Sequence, residues 1–461
     1  MLVNDLHSQL NATRVAGIES PRHEDELVAI VARARHLGRP ISIASGRHSM
    51  GGQQFGEGTT LVDMCSLDRV VEFDACRGLV TVEAGIQWPA LMAMLARLQA
   101  GHPRQWGIYQ KQTGADRLSL GGALACNAHG RGLTMKPIVD QVEAFDLVTA
   151  SGDVLTCSRR LHPELFRLAI GGYGLFGVMV RVTLRLRPRI KVRRVVELVR
   201  TRDVVTRFDE RIRDGFEYGD FQFRIDASRD SFLCEGIFPC YLPVPDDTAV
   251  TADPRCFSAG DWARLTLDAH THKSRAFDFY AARYLETSGQ IYWADEQLAG
   301  SYVDHYHEAV DHATNAKVKG TEMITEVFVP RPQLAAFMEA AARDLRQRDA
   351  NVIYGTVRLI ERDDETWLAW ARDRYACVVF NLHVDHTPVA IASAADAFRA
   401  LIDLAIEHGG SYYLTYHRWA RQDQVERCYP QMREFLAAKR HYDPDEVFQS
   451  EWYRHYRWML S

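Results

Sequence analysis

A histidine set inside a run of small residues is the first feature of this chain that could do chemistry. Ser45-Gly46-Arg47-His48-Ser49-Met50-Gly51-Gly52 follows Pro40-Ile41-Ser42-Ile43-Ala44, a short apolar stretch that reads as a strand. Glycines in such a turn let backbone N–H groups approach a phosphate closely. The imidazole then lies where it can touch the rest of the same ligand, which suggests a large cofactor. A second small-residue run begins at Thr113-Gly114. It continues through Ser119-Leu120-Gly121-Gly122-Ala123-Leu124-Ala125-Cys126-Asn127-Ala128-His129-Gly130. Small residues over such a span let an extended ligand lie against backbone, and they equally suit a tight helix-to-strand packing turn.

Two other patterns carry less than their composition suggests. Gly172-Tyr173-Gly174-Leu175-Phe176-Gly177 satisfies G-x-G-x-x-G. A dinucleotide fingerprint must follow a strand and open a helix. Here the glycines follow a helix-like stretch, Leu161 to Ile170, and open a strand, so the context is reversed. No G-x-x-x-x-G-K-[ST] loop occurs either. His305-Tyr306-His307-Glu308 to Asp311-His312 holds metal-binding residue types, but H-E-x-x-H is absent. On a helix these side chains spread over more than one face, which reads as a solvated surface. The nine cysteines are scattered without a C-x-x-C pair, so reduced thiols and no metal site are expected.

The elements that must position these loops alternate along the first part of the chain. Ser20-Pro21 offers a helix start, Leu27, Ile30, Val31 and Ala34 follow helical spacing, and Gly38 offers a stop. Val80 to Val82, Gln141 to Thr149 and Val178 to Leu186 read as strands, and Ala90 to Leu98 as a helix. Lys191-Val192-Arg193-Arg194 reads as a crossing into a second domain. Beyond it, Asp220 to Ile225 and Ala376 to Val384 read as longer strands, and Leu334 to Arg346 and Ala394 to His408 as amphipathic helices. That mixture predicts an α+β domain on an antiparallel sheet. The expected organisation is residues 1–190, 191–417 and a C-terminal segment 418–461 returning to the first domain, with Phe448 and Trp452 against its core.

The 461 residues suit two or three domains, with 47% hydrophobic and 25% charged residues. A net charge of -5 argues against a nucleic-acid partner, which favours a basic stripe. No apolar run approaches the roughly 20 residues of a membrane span. The start, Met1 to His7, lacks the basic and apolar regions of a signal peptide, so a cytoplasmic location is expected.

Taken in order, the Ile41 to Gly52 strand and loop, the Ser119 to Gly130 run and the Gly171 to Val178 turn resemble the vanillyl-alcohol-oxidase-type flavoproteins, with their FAD domain of the para-cresol methylhydroxylase (PCMH) type. Gly46-Arg47-His48-Ser49 is similar to the alditol and aldonolactone oxidases. The Gly121 to Gly130 run and the tail resemble decaprenylphosphoryl-ribose oxidases. The resemblance implies a two-part α/β FAD domain under a cap domain with an antiparallel sheet flanked by helices. It implies that Ala44, Ser45, Gly46, Arg47, His48, Ser49, Met50, Gly51, Gly52, Gln53 and Gln54 wrap the FAD pyrophosphate. Gly114, Ser119, Gly121, Gly122, Cys126, His129, Val178 and Tyr413 are implied as further FAD contacts, and His48 as a covalent link to the flavin. A second, cysteine-borne link is not implied, because Gln112-Thr113-Gly114 stands at that place.

On the substrate side the resemblance implies Arg358, His383 and Tyr416 as groups that polarise or deprotonate a hydroxyl. Alditol oxidases carry a Glu two residues before that Arg, where this chain has Thr356. The ribose oxidases have a cysteine at His383 and a lysine at Tyr416. The expected activity is oxidation of a CH–OH group of a polyol, sugar or lactone by hydride transfer to flavin N5, with oxygen or another electron acceptor. The alternatives are a C=C reductase resembling the sterol side-chain reductases, or a flavin-holding redox partner without turnover.

Overall fold

The computed structural model describes residues 1–298 and 306–461. Helix Glu24–His36 buries Leu27, Ile30, Val31 and Ala34, the four positions that its spacing predicts. It starts after His23 rather than at Ser20, and Glu24, Asp25 and Glu26 in its first turn complement the positive end of the helix dipole. Gly38, at φ +58°, turns the chain into strand Ile41–Ala44. That strand pairs in parallel with Thr60–Asp63, which pairs in parallel with Gly17–Glu19. The loop carrying His48 therefore leaves directly from the end of a buried parallel strand.

A second sheet of five strands runs in the order Val154–Ser158, Val142–Val148, Val178–Arg185, Leu79–Glu83, Val70–Asp74. Strand Val178–Arg185 buries Val178, Val180, Val182 and Leu184, while Arg181 and Arg185 reach outward. The Gly172 to Gly177 turn lies between helix Pro163–Ala169 and this strand, the reverse of a dinucleotide fingerprint.

The basic stretch Lys191 to Arg194 opens a strand of a further sheet, separate from that of Val178–Arg185. Lys191–Arg200 pairs along its whole length with Glu235–Val244. The strand expected over Asp220 to Ile225 is cut into Tyr218–Gly219 and Gln222–Phe223. Between them Phe221 exchanges backbone hydrogen bonds with Val357, 2.9 and 2.6 Å long. That bridge stitches this sheet to a second one, in the order Val352–Ile360, Tyr375–Asp385, Gly320–Pro330, Ser411–Tyr412. Helices Leu334–Gln347 and Pro388–Glu407 pack against strand Gly320–Pro330. The second begins six residues before its apolar pattern, because the Thr387 hydroxyl caps the Ala390 N–H and Pro388 fits the first turn.

The tail returns to the start of the chain. Phe448 bridges to Ile41 in parallel, extending the three-stranded sheet. Trp452 stacks on Tyr173 with ring centres 4.7 Å apart, and Phe435 meets Phe176 edge-on at 5.2 Å. These contacts clamp the Gly172 to Gly177 turn from behind, with Phe448 and Trp452 fully buried. All nine cysteines are unpaired. Among the described residues no helix is long and apolar enough to cross a membrane.

Candidate active site

A cavity of about 790 Å³ separates the glycine loops from the sheet of the C-terminal half. Ala44 to Met50, Gln53 and Gln54 line one side of it. Gly114, Ser119, Gly121, Gly122, Cys126, His129, Val178 and Tyr413 line the adjoining walls, with Arg358 and Tyr416 opposite. Residues far apart in sequence are thus brought to one space. Gly51 and Gly52 stand behind this surface and shape its turn: a Cβ on Gly51 would lie 2.7 Å from the Tyr416 carbonyl oxygen, and Gly52 has φ +72°.

The first loop is held by its own side chains. A Cβ on Gly46 would meet the Arg117 carbonyl oxygen at 2.6 Å and the His48 ring at 2.9 Å, so glycine there lets the imidazole fold back. Arg47 adopts φ +55°, and its guanidinium is tied to Asp63 at 3.0 Å. Gln53 donates to Thr415 and Gln54 to the Ser49 carbonyl, while both buried amide oxygens lack a hydrogen-bond partner among the described residues. Nδ1 of His48 meets Nε2 of His7, whose pKa burial lowers to about 4, His48 adding to the effect.

The second loop packs on backbone. The Gly121 N–H donates to the Ala84 carbonyl at 2.7 Å, and a Cβ there would lie 3.0 Å from Ala84. Ser119 caps the Gly122 N–H. Burial pushes the Cys126 thiol up to about 11, which keeps it a neutral packing group. Tyr413 donates to the Cys126 carbonyl at 2.7 Å.

Opposite these loops, three neighbouring strands point alternate side chains at the cavity. Glu326, Val379 and Thr356 form one row, and Ile324, Asn381 and Tyr354 the next. Glu326, 3% exposed, links two other cavity residues. Its Oε1 lies 2.7 Å from His129 Nε2, and its Oε2 accepts from the Tyr416 hydroxyl at 3.4 Å. Burial, then the negative charge of Glu326, raises the Tyr416 phenol well above its usual range, with Arg358 opposing. Arg358 is buried, and its Nε has no hydrogen-bond partner among the described residues.

His383 shares this sheet face but does not line the cavity. It stands beside Glu322, with Nδ1 3.4 Å from Oε1, and His270 approaches the same oxygen at 3.1 Å. Burial would raise the Glu322 pKa, yet hydrogen bonds from His270 and His383 hold it at about 2. Burial alone would lower His383, but Glu322 raises it.

The two carboxylates escaped the motif reading, although a signal exists. Glu322 and Glu326 are four residues apart in a strand, hence on one face, in a run whose other residues are apolar or threonine. His307 also differs from expectation. Its helix, Tyr306–Thr314, turns it inward, 1% exposed and 3.1 Å from Gln9, whereas a solvated face was anticipated; His305 lies outside the described residues.

Residues 15–158 match the FAD binding domain family. Over its length the chain is similar to an L-gulono-1,4-lactone dehydrogenase of Mycobacterium tuberculosis, 25% identical over 447 residues and 95% of each chain. It is 30% identical to a D-arabinono-1,4-lactone oxidase of Yarrowia lipolytica over 194 residues, 41% of this chain and 35% of the relative. An L-gulonolactone oxidase of Bos taurus is 28% identical over 196 residues, 42% of each chain.

Proposed function

We propose that the chain is an FAD-linked oxidoreductase of the superfamily that includes the aldonolactone oxidases, and that it oxidises a CH–OH group of a sugar-lactone-like substrate. The residues fit FAD. Glycine-shaped backbone forms one long wall of the cavity, two buried glutamine oxygens offer free acceptors, and a Cβ at Gly46 or Gly121 would crowd its neighbours. Ala44 to Gln54 would hold the pyrophosphate; Gly114, Ser119, Gly121, Gly122, Cys126, His129, Val178 and Tyr413 would line the rest, and His48 would provide the covalent tether. When bound, FAD supplies a two-electron acceptor for the hydride of the carbinol carbon.

The single observation that carries the reading is the Glu326 carboxylate, held between His129 and Tyr416 on the cavity face that Arg358 shares. His129 and Glu326 can share a proton between Nε2 and Oε1, so the pair can take up the proton that leaves a substrate hydroxyl. Tyr416 gives that proton a path from the cavity to Oε2. The Arg358 guanidinium, always charged, polarises the substrate oxygen and favours its alkoxide character. His383 stands apart from this set, beside Glu322. Several hydroxyls and a ring carbonyl on the substrate would match the polar wall of Asp220, Gln222, Asn381 and Thr356.

An anaerobic screen of aldono-1,4-lactones, aldoses, polyols and nucleosides, scored by loss of flavin absorbance, tests the reading. Bleaching by a lactone or its sugar is expected, and stopped-flow mixing with oxygen then identifies the acceptor. Failure of every alcohol, together with reduction by NADPH and reoxidation by an alkene, would overturn it in favour of a C=C reductase.

A further inference from the structure

We propose that His270, Glu322 and His383 form a site for one divalent transition-metal cation of the zinc type, at the edge of the cofactor cavity. The three ligand atoms come from different elements: the last turn of helix Ala259–Thr271 and the paired strands Gly320–Pro330 and Tyr375–Asp385. Glu322 and His383 sit opposite each other in register, so the sheet itself sets their spacing.

The distances suit a metal. Zinc takes imidazole nitrogen and carboxylate oxygen at about 2.0–2.2 Å, which in a tetrahedral shell puts neighbouring ligand atoms roughly 3.3–3.6 Å apart. His270 Nε2 and His383 Nδ1 lie 3.1 and 3.4 Å from Glu322 Oε1, and all three ligand atoms lie within 4.8 Å of one another. The side chains are well shielded, at 5% exposed for His270 and Glu322 and 16% for His383.

The tautomer of His270 gives a second, independent argument. Its Nδ1 lies 2.8 Å from the Thr266 carbonyl, a contact that only an N–H can satisfy. That bond leaves Nε2 as the atom turned to the Glu322 carboxylate. Beside a cation it would serve as the orienting contact typical of metal-bound histidines. Asp385 lies 3.6 Å from His383 Nε2, within reach of charge attraction but beyond a hydrogen bond. Two histidines and one carboxylate leave at least one position open. His270 and Glu322 line the cavity, so that position faces it, and an oxygen of a bound substrate can fill it. That last point rests on the proposed function; metal binding itself does not.

The test measures metal on the flavin-loaded protein, purified without a metal-affinity tag. Apo-metal protein is titrated with Zn²⁺ and separately with Co²⁺, whose visible bands report nitrogen and oxygen coordination. Expected is one equivalent retained through gel filtration, with affinity at least tenfold lower in His270→Ala and in Glu322→Gln. Flavin absorbance checks that each variant is folded, and His383→Gln replaces either one that fails. No stoichiometric uptake by the wild-type protein overturns the proposal whatever the variants do, and so does uptake that all variants retain. Protons alone would then hold the cluster. Lactone-driven flavin bleaching, scored separately, keeps a failure here distinct from a failure of the proposed reaction.

Discussion

Nδ1 of His48 lies 2.9 Å from Nε2 of His7, and the other ring nitrogen of His48 lies 3.1 Å from the carbonyl oxygen of Arg117. The carbonyl can only accept, so Nε2 of His48 carries a proton and its lone pair is on Nδ1, facing His7. Burial keeps His7 neutral at physiological pH. The ring that would attach to the flavin is therefore held by one residue from the N-terminal segment and one from the loop before the second glycine run. Acid-precipitated wild-type protein should retain its yellow colour, and His48→Ala should release all flavin to the supernatant. His7→Ala should still bind FAD but carry a smaller covalent fraction, read by flavin fluorescence of the denatured band. A colourless wild-type pellet would reject the tether.

Glu326 and Arg358 should separate in their kinetic effects. Glu326→Gln keeps the shape but removes the proton acceptor, so flavin reduction should slow by about 10²–10⁴-fold. Tyr416→Phe should cost less, because it removes only the path to Oε2. Arg358→Met should slow reduction by about 10²–10³-fold while flavin content stays that of wild type. Anaerobic stopped-flow reduction, paired with the flavin-to-protein absorbance ratio, reads both quantities. Unchanged reduction in Glu326→Gln would remove it from the chemistry.

The part of this site that was legible from sequence is the part built by local backbone. Gly46, Gly121 and Gly177 mark that part in the sequence because nothing larger fits there, although the atoms they approach belong to Arg117, Ala84 and Val148, far along the chain. The cap side rests on pairings between distant residues. His129 and Glu326 are 197 positions apart, and Glu322 meets His270 and His383 across 52 and 61. No spacing rule reaches that far: the register of strands Gly320–Pro330 and Tyr375–Asp385 puts Glu322, Glu326 and His383 on one face, and a helix and a loop bring His270 and His129 to them. The Asp220 to Ile225 strand failed for a related reason. Its alternation is right for a strand, but Phe221 finds its partner in Val357, on another sheet.

The C-terminal return depends on one buried ion pair. Lys439 donates to Asp443 at 2.7 Å with both side chains at most 1% exposed. The same carboxylate accepts the Val447 and Phe448 N–H groups at 2.8 and 2.9 Å, fixing the turn that delivers Phe448 to Ile41. Asp443→Ala leaves the Lys439 charge and two N–H groups unpaired, and should destabilise by about 3–5 kcal/mol. Adding Lys439→Met should recover part of that loss. Urea unfolding followed by tryptophan fluorescence measures both. A loss below about 1 kcal/mol would show that water replaces the carboxylate.

Acid should loosen the fold through His417, which packs flat on Trp419 with ring centres 4.2 Å apart. Burial lowers its pKa from 6.5 to about 4, with nearby Arg418 also lowering it and Asp5 opposing. The folded state thus holds the ring neutral while the unfolded chain protonates it from about pH 6.5 downward. Stability from this residue is complete above the unfolded value and falls as the pH drops toward 4. The full loss is on the order of 3 kcal/mol, from about 1.4 kcal/mol per pKa unit. His455, lowered to about 4 by burial and by Arg418, adds to the same slope. His417→Phe keeps the stacking and removes the titration. Urea unfolding at about pH 7.5 and about pH 5 should therefore show a smaller acid-induced loss in the variant than in wild type. Equal losses in the two proteins would mean that His417 takes up its proton as readily in the fold as in the unfolded chain.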